Sequence, residues 1–154
     1  MVKNAYILIG VPASGKSTWR SDKSLTHDII STDDIIEEIA MDYGFTYNEA
    51  FNSLIKFAEK VMWSEFDYSI AADNDIIIDR TNLTKARSRF IEPLKKAGYK
   101  VTAVVFPIPE KDEWERRLNS RTGKSIPKDV IENMVKSFQF PELYEGFDEI
   151  ILEE

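Results

Sequence analysis

Eight consecutive residues, Gly10-Val11-Pro12-Ala13-Ser14-Gly15-Lys16-Ser17, constrain this chain more than any other stretch. They fit the phosphate-binding pattern G-x-x-x-x-G-K-[ST] at every position. An apolar run at residues 5–9 leads in as a buried strand, and a helix is expected to start near Lys16 and continue through Ser17-Thr18-Trp19-Arg20. That strand–loop–helix setting is what such a loop requires. Glycines allow a tight turn in which successive backbone N–H groups face one anionic centre. The helix start adds partial positive charge. Lys16 can reach the β- and γ-phosphates of a nucleotide, and the Ser17 hydroxyl can hold Mg²⁺. Gly10, Pro12, Ala13, Ser14, Gly15, Lys16, Ser17 and Thr18 are therefore the expected nucleotide-binding set. The plainer alternative is a glycine turn joining a strand to a helix.

The rest of the chain alternates strand and helix patterns, which predicts an α/β fold with a parallel sheet. Strands are expected at residues 5–9, 27–30, 75–79, 100–106 and 149–152. Helices are expected from 16, and over 31–40, 46–72, 84–97, 110–119 and 129–138. Thr46 and Glu49 have capping-box spacing, as do Ser31 and Asp34. Pro93 inside the 84–97 helix allows a kink. Together these elements predict an α/β three-layer sandwich around a five-stranded parallel sheet, with the phosphate loop at a strand's C-terminal end. The 154 residues suit a single domain, 1–154.

Composition narrows the class. The chain has no Cys, which excludes disulfides and thiolate metal sites and fits a reducing compartment. No apolar run approaches a membrane span. Met1-Val2-Lys3-Asn4 leads straight into the first strand, so no signal peptide is expected, and cytoplasmic is the expected location. A net charge of −7 argues against a general nucleic-acid coat protein. Yet residues 80–100 carry Arg80, Lys85, Arg87, Arg89, Lys95, Lys96 and Lys100 against only Glu92. Such a segment either meets a local anionic partner or forms a solvated helix face.

Phosphoryl transfer needs more than a cradle. It also needs a metal, charge around the γ-phosphate, and a group to orient or deprotonate the acceptor. Asp33 and Asp34 follow the second strand, at the sheet edge that carries the loop. A carboxylate there can accept the proton of an attacking hydroxyl. Helix capping explains Asp34 better than Asp33, so Asp33 is the candidate base. Asp79, which ends a strand after three isoleucines, is the candidate second acidic site, binding Mg²⁺ directly or through water. A strand-end turn is its plainer explanation. Arg116, Arg117, Arg121 and Lys124 flank or occupy the polar stretch 120–127. Arg121 is the candidate lid arginine over the phosphates, and Arg116 reads as surface charge beside Glu113 and Glu115. His27 reads as structural.

With these stretches in order, the chain resembles the phage-type polynucleotide 5′-hydroxyl kinases. These sit within the wider small P-loop kinases, a zeta-toxin-like and AAA-type group that includes antibiotic and metabolite kinases. The resemblance rests on the phosphate loop, Asp33-Asp34, Asp79-Arg80-Thr81-Asn82-Leu83, Arg117-Leu118-Asn119-Ser120-Arg121 and Ile126-Pro127-Lys128-Asp129-Val130. It implies ATP and Mg²⁺ at Lys16 and Ser17, Asp33 as general base, and Arg117 and Arg121 on ATP. It also implies that Asp79, Arg80, Thr81 and Asn82 line the acceptor side. The phage enzyme has an arginine three residues after its catalytic aspartate, where this chain has Ile36. Arg80, Arg87 or Arg89 is then the expected contact for an acceptor phosphate. No C-terminal phosphatase domain is expected within these residues. The leading expectation is ATP-dependent phosphorylation of a polynucleotide 5′-hydroxyl. The alternatives are a small-molecule or nucleoside kinase and a nucleotide-binding regulatory module. No N-K-x-D sequence supports guanine specificity. Neither a membrane partner nor a particular oligomeric state is implied.

Overall fold

The computed structural model describes residues 2–154. Five parallel strands form one sheet: β1 (Asn4–Ile9), β2 (Asp28–Ile30), β3 (Ile76–Asp79), β4 (Lys100–Val105) and β5 (Glu149–Leu152), in the order β2-β3-β1-β4-β5. β1 lies at the centre because its apolar residues face helices on both sides. Ile7 and Ile9 turn to one face and Leu8 to the other, as the two-residue period of a strand requires.

On the first face, Met62 and Phe66 of α3 (Tyr47–Ala71) and Phe90, Ile91 and Leu94 of α4 (Ser88–Lys96) pack on the sheet. On the second face, Trp19 of α1 (Lys16–Arg20) packs on Leu8, Ile77, Val104 and Phe106. α2 (Thr32–Tyr43) and α3 form a hairpin with its own small core, Ile36, Ala40, Ala50 and Ala58. α5 (Lys111–Asn119) and α6 (Lys128–Ser137) join the phosphate loop through a cluster of Val11, Leu83 and Trp114. Each fully buried large apolar side chain contributes roughly 1.5–3 kcal/mol.

Helix starts follow their caps. Thr46 and Glu49 form the reciprocal capping box that their spacing predicts. Ser31 accepts the Asp34 amide at 3.2 Å, but only half of that expected box forms, because the Asp34 carboxylate turns to Arg20 instead. Thr84 caps a 3₁₀ turn, Lys85–Arg87, that leads into α4, so the expected 84–97 helix has two parts. α4 runs through Pro93. No helix among the described residues is long and apolar enough to cross a membrane.

Arg87, one of three expected contacts for an acceptor phosphate, is drawn into the interior. Its side chain is fully buried and makes a bidentate pair with Glu145, Nε–Oε1 and Nη2–Oε2 both at 2.9 Å, while Nη1 donates to the Asn82 carbonyl at 3.0 Å. A guanidinium held this way by the segment before β5 is not available to an acceptor. Removing one partner of a buried pair leaves an uncompensated charge. Arg87→Met is accordingly expected to lower the unfolding free energy by about 3 kcal/mol, read as a lower urea midpoint at unchanged slope. An unchanged midpoint would show that the pair contributes nothing.

Candidate active site

The C-terminal edge of the sheet gathers the phosphate loop after β1, Ser31–Asp34 after β2 and Asp79 at the end of β3, so three separate segments meet where the strand order places a crevice. The loop is fixed from several sides. The Gly10 amide donates to the Thr81 carbonyl at 3.0 Å. Trp114 on α5 donates to the Pro12 carbonyl at 2.8 Å, and Arg117 to the Ala13 carbonyl at 3.2 Å. Ala13 and Gly15 take positive φ of 62° and 109°. Such backbone turns successive N–H groups inward as an anion nest. Gly10 is required by space, since a Cβ there would lie 2.6 Å from Ser14 Oγ and 2.9 Å from Phe106 Cβ.

Lys16 is the electrostatic centre. Its ammonium donates to the Gly10 and Val11 carbonyls at 2.8 and 2.9 Å. Burial lowers its pKa to about 8, against the pull of Asp79 and Asp33, while Arg121 and Lys124 lower it further. Residues drawn from three distant stretches of sequence thus act on one ammonium. Asp79 is largely buried, and burial raises its pKa despite the countering charges of Arg20 and Lys16. Arg121 Nη1 and Ser14 Oγ are buried without a hydrogen-bond partner among the described residues. Orphaned donors around a cradle of amides fit an anionic ligand.

The clasp that holds these groups together is Arg20. Nη2 lies 2.8–2.9 Å from the Asp34 carboxylate, and Nη1 lies 3.1 Å from Asp79 Oδ2. Sequence reasoning did not single out Arg20. The available signal was its place four residues after Lys16, on the same helix face. Asp33 presents Oδ1 to the Tyr47 hydroxyl, which donates at 2.6 Å. Burial first, then this bond, raises the Tyr47 pKa far above the ordinary phenol range.

The remaining expected acceptor-side residues are engaged in other contacts. Arg80 donates to Glu59 at 3.1 Å, and Glu59 also accepts from Thr32 at 3.1 Å. Asn82, at φ 48°, donates to the Leu8 carbonyl at 2.8 Å and so ties the exit of β3 to β1. Thr81 uses its carbonyl on the loop, as above. Arg89 is exposed and stacks over Trp63, 5.6 Å from the ring centre. Arg116 pairs with Glu113 on the surface. Ser17 and Thr18 are exposed on the first turn of α1. Glu59 and Tyr47 carry no local sequence signal, because their partners are distant in the chain.

A sequence profile of AAA domains matches residues 6–141. The chain belongs to the AAA_33 family. A mouse protein, heterogeneous nuclear ribonucleoprotein U-like protein 2, is 22% identical over 94% of this chain, and the chain spans one fifth of that relative's length. Among solved structures, a Chloroflexus aurantiacus protein provisionally described as a kinase superposes with a TM-score of 0.72 at 15% identity, covering 99% of this chain and 85% of the other. A chain of the Pnkp1/Rnl/Hen1 RNA repair complex superposes with a TM-score of 0.59 at 25% identity, covering 88% of this chain and 44% of the other. The fold of this AAA_33 chain is that of the P-loop kinases, a nucleotide-binding α/β architecture.

The lowered pKa of Lys16 gives a signed prediction. Phosphates favour the ammonium form, whereas the free protein loses that proton as pH rises through about 8. ATP binding should then take up a proton above pH 8, and Kd should rise up to about tenfold per pH unit between roughly 8 and 10. Titration calorimetry in buffers of different ionisation heat measures this uptake. Lys16→Met should bind weakly and lose the pH dependence, and a flat wild-type profile would contradict the assignment.

Proposed function

We propose that this protein transfers the γ-phosphate of ATP to a hydroxyl, and that the acceptor is the 5′-hydroxyl end of a polynucleotide. The observation that carries the reading is the convergence of Asp33, Asp79 and Arg121 on the charge of Lys16. A module that only binds a nucleotide needs neither a carboxylate beside the γ-phosphate position nor a lid arginine.

In this reading Asp33 takes the proton as the acceptor oxygen bonds to the γ-phosphorus. The bond to the bridging oxygen breaks in line, and ADP leaves. Lys16 and Arg121 neutralise charge on the transferring group, and the loop amides hold the β-phosphate. Arg117, which donates to the Ala13 carbonyl of the loop, serves the nucleotide side in this reading. The Ser17 hydroxyl and Asp79 carboxylate are hard oxygen donors of the kind Mg²⁺ prefers and would hold that ion, which would supply positive charge to offset the phosphates. Arg20 sets the Asp79 carboxylate. Residues 1–154 act as one domain, in a cytoplasmic setting where ATP is at hand.

Polynucleotide as acceptor rests on the ordered motif set and on the likeness to a chain of an RNA repair complex. A second reading, a small-molecule or nucleoside acceptor, is favoured by a specific observation. Ile36 is buried in the α2–α3 core, Arg87 lies in a buried pair, and Arg80 is held by Glu59. An acceptor that bears no phosphate would have no need of them.

The test is incubation with ATP labelled at the γ-phosphate and a 5′-hydroxyl oligonucleotide, with free nucleosides in parallel. Label on the oligonucleotide supports the first reading, and label on nucleosides alone supports the second. No transfer to either, with ATP binding intact, counts against both. Asp33→Asn is expected to lower kcat by about 10²–10⁴-fold and to leave ATP affinity nearly unchanged. Equal loss of both would remove Asp33 as the base.

A further inference from the structure

The segment that carries Arg121 is stitched, just beyond it, to the helices that carry Asp33 and Tyr47. Gly123 sits against Thr46 at φ 69°, and a Cβ there would lie 2.9 Å from Thr46 Cβ. Its carbonyl accepts the Asn48 amide at 3.2 Å. The Asn48 side chain donates to Ser125 Oγ at 2.7 Å and accepts the Ser125 amide at 3.2 Å. Between these anchors, Lys124 reaches toward α2. Its ammonium lies 2.6 Å from Glu37 Oε1, 3.8 Å from Asp33 Oδ2 and 4.4 Å from the centre of the Tyr47 ring.

This placement is unusual for a lysine on a polar loop. Its side chain is only 18% exposed, and it meets two carboxylates and an aromatic face at once. The two oxygens of Asp33 are thereby made different. Oδ1 accepts from Tyr47 at 2.6 Å, while Oδ2 faces the ammonium from beyond hydrogen-bond distance. Oδ2 is thus oriented by charge yet keeps its lone pairs for an incoming hydroxyl. Glu37, one helical turn along α2, anchors the ammonium so that it does not close onto Oδ2 itself.

We propose that Lys124 is a positioning residue: by docking on Glu37 and Tyr47 it couples the seating of the Arg121 segment to the orientation of the Asp33 carboxylate. The inference rests on the reading of Asp33 as base. One side of the segment brings Arg121 to the phosphates, and the next turn brings Lys124 to the acceptor side. A single closure would then complete both halves of the site, which limits transfer to water when the segment is open.

The experiment is steady-state kinetics of Lys124→Met, Lys124→Arg, Asp33→Asn and the double variant Lys124→Met/Asp33→Asn. ATP turnover is read with a 5′-hydroxyl oligonucleotide and with water alone as acceptor. Lys124→Met is expected to lower kcat about tenfold with the KM for ATP within twofold, and Lys124→Arg to recover most of the loss. In the Asp33→Asn background, Lys124→Met should cost nothing further, since the group it positions is gone. A second tenfold loss in that background would show that Lys124 does not act through Asp33, and would overturn the proposal. So would wild-type kcat in Lys124→Met, or a kcat loss that arginine does not relieve and that tracks a lower urea midpoint. Wild-type kcat in Asp33→Asn would remove the base reading itself, and the coupling with it; an inactive Asp33→Asn beside a fully active Lys124→Met would remove only the coupling.

Discussion

One guanidinium organises the charges of this site. Arg20 stands on α1, the helix that the phosphate loop opens, and is clasped between Asp34 at the start of α2 and Asp79 at the end of β3. Three segments that share no sequence neighbourhood are thereby held in one arrangement. The constraint is electrostatic. Asp79 is nearly buried, and an unpaired carboxylate in that position would give up its charge. Asp33 and Asp34 add like charge nearby, which raises the need for a partner. Arg20 and Lys16 meet that need from one helix, and the loop that precedes the helix is located by the same contacts. A buried pair of this kind adds little net stability over an apolar packing, but it fixes geometry.

In the proposed reading, the nucleotide and acceptor halves of the site are built by different means. The nucleotide half is local: a strand, a glycine-bearing loop and one helical turn, with Trp114 and Arg117 bracing the loop from α5. The acceptor half that the proposed reading requires is assembled at long range, from Asp33 and Glu37 on α2, Tyr47 and Glu59 on α3, Arg80 after β3, and Lys124 beyond α5. Kinases with one fold can thus serve different hydroxyls, because the second half is free to vary while the first is fixed by the chemistry of triphosphate.

That division also explains what the sequence disclosed. Strands at residues 5–9 and 75–79 were readable because an uninterrupted apolar run must be buried on both faces. The Thr46–Glu49 cap was readable because its partners are three residues apart. Arg87 was not: a charged residue in a basic segment reads as surface, and only Glu145, far along the chain, makes its burial tolerable. Asp34 followed a cap pattern until a stronger partner, Arg20, took its carboxylate. Lys124 stood among loop cations that looked alike in sequence, and only its docking on Glu37 and Tyr47 sets it apart. Local pattern reports propensity, whereas the worth of a charge depends on what the fold brings to it.

The central claim is direct transfer of a phosphoryl group with Asp33 as base and no covalent intermediate on any carboxylate of the site. The stereochemistry at phosphorus tests it most directly. With ATP made chiral at the γ-phosphorus by oxygen isotopes and sulfur, the transferred group should arrive on the acceptor with inverted configuration, as a single in-line displacement requires. Retention would require two displacements through a phosphorylated side chain, with Asp33 or Asp79 as the attacking group, and would contradict the account.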